Sequence, residues 1–267
     1  MVVLNVYSPL AHPQLINGQS DGRISVLLIH GYHSDPEVWD DWLNKFHNDG
    51  FIAEAAYFHI DNKDDYCGSS KAHAQELGAI IKDFKNKTQS DKINIVAHSK
   101  GGLDARMYLT NDPLNDVEKL IMIGTPNQGS PIANWTKIVP SDMTPLFGEF
   151  LYIPAIYDLI PGSNATRSQI HNGTTYYTIA GNWTPSPYNP FFSYPPDDRT
   201  YRQADWLPIE IWGSIFINGS DDGMMPLKSA ASSEFKNIGV TNDCHTNLSE
   251  YESITWLEIL YCQDDYD

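Results

Sequence analysis

Asn94-Ile95-Val96-Ala97-His98-Ser99-Lys100-Gly101-Gly102-Leu103 is the stretch on which the reading of the chain turns. An apolar run suited to a buried strand stops at Ser99, and a run that can be helical starts straight after it. A serine at such a junction sits in a strained turn, so the residues two places either side must be small, here Ala97 and Gly101. The turn carries the hydroxyl to a helix N-terminus, where free N–H groups and the helix dipole favour developing negative charge. Ala97 departs from the G-x-S-x-G pattern, which has glycine there. On the motif alone, the alternative is a tight strand-to-helix turn holding an ordinary serine.

Working outward, strands alternate with amphipathic helices. Arg23–Ile29 is a short apolar run of buried-strand type that ends at His30-Gly31-Tyr32-His33. A helix follows, with Ser34 and Glu37 as a capping box, Pro36 in its first turn, and Val38, Trp39, Trp42, Leu43 and Phe46 on one face before Gly50. Phe51–Ile60 reads as a strand, and Ala74, Leu77, Ile80, Ile81 and Phe84 form the stripe of a second helix. Lys92–Ala97 delivers Ser99; Val117–Thr125, Thr174–Ala180 and Phe235–Thr241 are further strands. A closing helix carries Leu248, Tyr251, Ile254, Leu257 and Tyr261. This rhythm predicts right-handed βαβ units and a mostly parallel central sheet flanked by helices. The expected organisation is a single α/β domain over 1–267, with cap or lid insertions at about 127–173 and 182–212, the second crowded with proline and aromatics.

A serine hydroxyl needs a general base, normally a histidine held by a carboxylate. In chain order after the serine, the acid should follow one strand and the histidine the next. Downstream of Ser99 stand only His171 and His245; His171 precedes its strand, whereas His245 directly follows the last one. For the acid, Asn218-Gly219-Ser220-Asp221-Asp222-Gly223 follows the short apolar run Ile215-Phe216-Ile217, and Asp222 is preferred. Asp221 reads as a solvated turn aspartate, with Asp243 a third contender. Two N–H donors complete the set as an oxyanion hole: Lys100, directly after the serine, and Tyr32, beside Gly31 in the loop after the first strong strand.

Taken together, His30-Gly31-Tyr32, Ala97-His98-Ser99-Lys100-Gly101-Gly102, Ile123-Gly124-Thr125-Pro126-Asn127-Gln128-Gly129-Ser130 and Asp158-Leu159-Ile160-Pro161-Gly162-Ser163 resemble the α/β-hydrolase fold lipases and esterases, microbial triacylglycerol lipases most of all. The resemblance spans about residues 24–250. It implies a serine hydrolase cleaving carboxylic esters through an acyl-enzyme, with Ser99, Asp222 and His245 as triad. It also favours Asp222 over Asp221, because the family places its acid in an Asp-Gly turn matched by Asp222-Gly223. Lys100 stands where the family commonly has an apolar residue, and a lysine beside the nucleophile is expected to bear on substrate choice. Some relatives bind calcium near the acid and base; the carboxylate they place after the histidine is Thr246-Asn247 here, so no cofactor or metal is expected. Acyl transfer, or thioester or amide cleavage, with the same triad is the alternative, and a non-catalytic binding protein on this fold is a third reading.

Composition narrows the partners. With 267 residues, 41% of them hydrophobic, the chain can bury one substantial core. A formal net charge of −17 repels nucleic acid and anionic membrane surfaces, and the partner that the resemblance implies is a small-molecule or lipid ester. No stretch approaches the roughly 20 apolar residues of a membrane span. Met1–Tyr7 lacks a basic region followed by an apolar one, which leans the expectation towards the cytoplasm, while seven N-x-[ST] sequons suit a secreted protein. Cys67, Cys244 and Cys262 have no metal-ligand spacing; one Cys244–Cys262 bridge is left open. Acyl-chain preference, lid mobility and oligomeric state are not set by these residues.

Overall fold

The computed structural model of the chain describes residues 25–32, 34–59, 68–112, 114–137, 154–182, 217, 219–222, 224–241 and 248. His245, Asp243, the three cysteines, the acidic residues Asp61, Asp64 and Asp65, the aromatic-rich stretch 183–212 and all of the expected closing helix but Leu248 lie outside them.

Six strands, β1 (Ser25–Ile29), β2 (Ile52–Ala55), β3 (Ile93–His98), β4 (Val117–Ile123), β5 (Thr175–Gly181) and β6 (Lys236–Thr241), form one sheet in the order β2-β1-β3-β4-β5-β6. Every pairing is parallel. The central strands β1 and β3 are buried on both faces because helices cover both. Leu27 and Ile29 of β1, with Ile95 and Ala97 of β3, point towards helices α2 (Ser70–Thr88) and α3 (Lys100–Thr110) and pack with Leu77, Ile81, Phe84, Ala105 and Leu109. The alternate residues Val26, Leu28 and Val96 meet Trp39, Trp42 and Phe46 on the other face, where helix α1 (Asp40–Asn48) lies and Leu248 is buried.

The local chemistry differs from expectation in three places. Asp35, not Ser34, caps the first helix: its carboxylate accepts the Glu37 N–H at 2.9 Å, and Pro36 opens a 3-10 turn that runs into α1. The strand expected over Phe51–Ile60 is only Ile52–Ala55. No strand of the sheet stands between β5 and β6, which pair directly; Ile217, expected to end a strand leading to the acid, lies in a bend. Of the first insertion, the described flanks pack onto the body. Ala133, Ala155, Ile156, Leu159, Ile160 and Ala165 form a buried cluster with Tyr32 and Leu103.

Because all strands run the same way, their C-terminal ends share one edge. From β1 the chain crosses to β2 on one side, and from β3 it proceeds to β4, β5 and β6 on the other, so the order reverses between β1 and β3. In open parallel sheets this switch point opens a crevice at the C-terminal edge. Tyr32 follows β1 and Ser99 follows β3, one on each side of it.

Candidate active site

Ser99 lies between β3 and α3 with φ 52° and ψ −127°, a backbone that a non-glycine residue holds at a cost of about 1–3 kcal/mol. The Ser99 N–H donates to Ile123 O at 2.8 Å, and its carbonyl accepts from Gly102 N–H at 3.1 Å, which fixes the turn from both sides. The small neighbours are required sterically. A Cβ on Gly101 would stand 2.4 Å from His30 O, and one on Gly31 would stand 2.8 Å from the Ser99 Cβ. The β1 loop therefore lies directly against the Ser99 turn, which brings Tyr32 and Lys100, the two expected oxyanion donors, to the same corner. Both are buried, and Lys100 is the first residue of α3.

The Lys100 side chain turns into the protein. Its side chain is 1% exposed, and Nζ donates to both carboxylate oxygens of Asp104, one turn on, at 2.8 and 2.9 Å. His73 of α2 closes the group, with Nδ1 2.7 Å from Asp104 Oδ2 and 3.2 Å from Lys100 Nζ and its ring stacked on Phe58 at 4.1 Å. Burial alone would push the Asp104 carboxyl up, but the charges of Lys100 and His73 outweigh it and hold it well below the ordinary carboxylate range. The ammonium is thus neutralised within the protein rather than offered to a ligand. Sequence reasoning missed His73 because it began the α2 stripe at Ala74; the i,i+4 spacing of Lys100 and Asp104 on a helix was a readable signal for the pair.

Asp222 is completely buried, and its Oδ1 accepts N–H groups from Met224 at 3.0 Å and Met225 at 2.6 Å. Asp221 is not the solvated aspartate expected: it is 4% exposed and its backbone bridges to Pro226 across the turn. The Asp222 turn is tied to the loop after β4, since Ser130 Oγ donates to Met224 O at 2.6 Å and Ser229 Oγ donates to Gly129 O at 2.8 Å. That loop leaves the C-terminal edge, so Asp222 and Ser99 belong to the same edge. His171 sits before β5, at the opposite edge, with Nδ1 accepting the Gly173 N–H. His245 lies outside the described residues, between Thr241, the last residue of β6, and the buried Leu248.

Among the described residues no group of His, Cys, Asp or Glu could hold a metal ion, and no helix is long and apolar enough to cross a membrane. An open groove of about 1140 Å³ runs between α2 and α3, lined by Lys71, Gln75, Tyr108 and Arg167 among others and by no residue of the serine turn.

With that geometry in place, the match to known proteins is specific. Residues 25–188 match the palmitoyl protein thioesterase family. The chain belongs to that family of α/β-hydrolases. The matched span holds Tyr32, Ser99 and Lys100 and ends before Asp222 and His245. Among curated proteins, a triacylglycerol lipase of Pseudarthrobacter phenanthrenivorans is 25% identical over 134 residues, 46% of this chain and 40% of the lipase. Triacylglycerol lipase 2 of Saccharomyces cerevisiae is 25% identical over 166 residues, 58% of this chain and 50% of that protein. The chain therefore spans half or less of the length of these relatives. The Bacillus licheniformis lipase BlEst2 in its mature form has the same fold, with TM-score 0.70 at 19% identity over 95% of this chain and 96% of that one.

Proposed function

We propose that the protein is a serine hydrolase that cleaves carboxylic esters through an acyl-enzyme. The observation that carries this reading is the Ser99 turn: a positive-φ serine at a helix N-terminus, at the crevice of a parallel sheet, pressed against the Gly31-Tyr32 loop. In the proposed reaction the Ser99 hydroxyl attacks the ester carbonyl carbon and gives its proton to His245. The Tyr32 and Lys100 N–H groups hold the oxyanion that forms, aided by the positive end of the α3 dipole. His245 then returns the proton to the leaving alkoxide as the C–O bond breaks. Water repeats the sequence on the acyl-enzyme, releasing the acid and restoring Ser99. Asp222 is assigned to hold the imidazole in the productive tautomer and to stabilise the imidazolium. Its burial and the two N–H groups on Oδ1 support that assignment over a turn aspartate in solvent.

The lipase relatives and the apolar cluster around Tyr32 beside the oxyanion loop support esters with apolar acyl chains as the substrate class. Insertions at about 127–173 and 182–212 are assigned to cover the acyl pocket. Ser99→Ala should abolish hydrolysis of p-nitrophenyl esters while leaving the circular dichroism spectrum and unfolding midpoint in place; retained turnover by that variant would remove the assignment.

A thioester is the second reading, favoured by the family to which the chain belongs. The machinery is the same and only the leaving atom changes, so matched oxygen and sulfur esters of one acyl chain discriminate the two by kcat/KM.

A further inference from the structure

We propose that Ser130 is a positioning residue for the acid, acting on Asp222 through a single peptide group. The proposal rests on the reading of Asp222 as the triad acid. The Met224 carbonyl and the Met225 N–H belong to one planar peptide unit, so orienting one end orients the other. At one end the Ser130 hydroxyl donates to Met224 O at 2.6 Å; at the other, Met225 N–H donates to Asp222 Oδ1 at 2.6 Å. A hydrogen bond into the carbonyl also polarises the peptide and strengthens its N–H as a donor. Ser130 thus reaches the carboxylate by two short bonds and one rigid plane.

The hydroxyl is aimed by its own surroundings. Ser130 is 2% exposed, its N–H donates to Leu159 O at 2.8 Å, and its Oγ accepts the Ile132 N–H at 3.2 Å, which leaves its hydrogen to Met224. Gly129 sets this approach: it has φ 87°, and a Cβ there would stand 2.5 Å from Pro161 Cα. Asp158 anchors the same 158–163 turn to α2, its Oδ2 accepting the Ser70 N–H at 2.6 Å. Two sequence motifs that the chemistry itself leaves unused, 123–130 and 158–163, therefore meet at Ser130 and carry rigidity from the sheet edge to the acid.

The test is a double-mutant comparison of Ser130→Ala, Asp222→Asn and the double variant. Its readouts are p-nitrophenyl ester turnover, the rate of Ser99 labelling by a fluorophosphonate, and the thermal unfolding midpoint. For Ser130→Ala we expect kcat to fall roughly five- to tenfold, as for loss of one neutral hydrogen bond, with KM changed less than about twofold. The acidic limb of the kcat/KM profile should move to lower pH, because a less firmly aimed carboxylate stabilises the imidazolium less. In the Asp222→Asn background Ser130→Ala should slow labelling no further. Ser130→Cys, of similar shape but a weaker donor, should fall between serine and alanine. Equal proportional losses in both backgrounds, or a change in KM alone, would overturn the relay. Full activity of Asp222→Asn by itself would instead overturn the acid assignment on which the relay depends.

Discussion

Lys100 has two separable parts beside the proposed nucleophile. Its backbone N–H is assigned to the oxyanion, while its side chain is locked to Asp104 and His73 beneath the turn. A buried ion pair stabilises weakly as a unit, but removing Lys100 takes the cation from both Asp104 oxygens and leaves that buried charge to His73 alone. Lys100→Met should therefore cost about 3–5 kcal/mol in urea unfolding, and adding Asp104→Leu should recover most of it, with the N–H still in place. If the single and double variants were equally destabilised, the pair would not be the cause. The pH dependence follows from the depressed Asp104 carboxyl. Its stabilisation is present in full above the ordinary carboxylate value of about 3.9 and is lost as pH falls through the folded value. The stability gap between the native protein and Asp104→Asn should accordingly narrow on acidifying below about pH 4. A gap that stayed constant from pH 6 to pH 2 would contradict this sign.

At the scale of elements, the parallel α/β frame was legible because hydrophobic period alone separates its strands from its helices. Val26 to Ile29, Ile95 to Ala97 and Leu120 to Ile123 are continuous apolar runs, and all are buried in the sheet. Leu77, Ile81 and Phe84 repeat at helical spacing and all face the core. What escaped depended on local turn geometry in two places and on a tertiary contact in a third. Asp35 displaces Ser34 as cap because it directly precedes Pro36 and reaches the Glu37 N–H; Asp221 is buried by a turn that folds back on itself. The Ser130 contact with Met224 joins residues 94 apart in sequence, which no local pattern reveals. On the far face, Phe46 packs edge-on against Phe51 at 5.3 Å and beside Trp42. Phe46→Ala should cost about 3–5 kcal/mol while leaving kcat of the folded protein unchanged, since α1 covers the sheet face opposite α3. The loop after β1 gives the contrasting case. Gly31→Ala sets a Cβ against Ser99 and should lower kcat/KM roughly hundredfold with a modest change in unfolding midpoint.

Across the whole molecule, one C-terminal sheet edge collects the Tyr32 loop, the Ser99 turn, the Ser130 loop with the Asp222 turn, and the end of β6, four residues before His245 in sequence. The formal charge of −17 bears on the proposed use of a lipid ester at this edge. An acidic protein is repelled by an anionic interface, so turnover of an emulsified long-chain ester should fall when anionic lipid is added at low salt and recover as salt screens the field. Salt-independent rates would remove charge from the account. The central claim, that Ser99 is an activated nucleophile, is met most directly by intact-protein mass after reaction with a fluorophosphonate, followed by peptide mapping. The account predicts one adduct per chain, carried on Ser99, absent from Ser99→Ala, and slow to form in His245→Ala. An adduct elsewhere in the chain, or none while ester turnover proceeds, would contradict it.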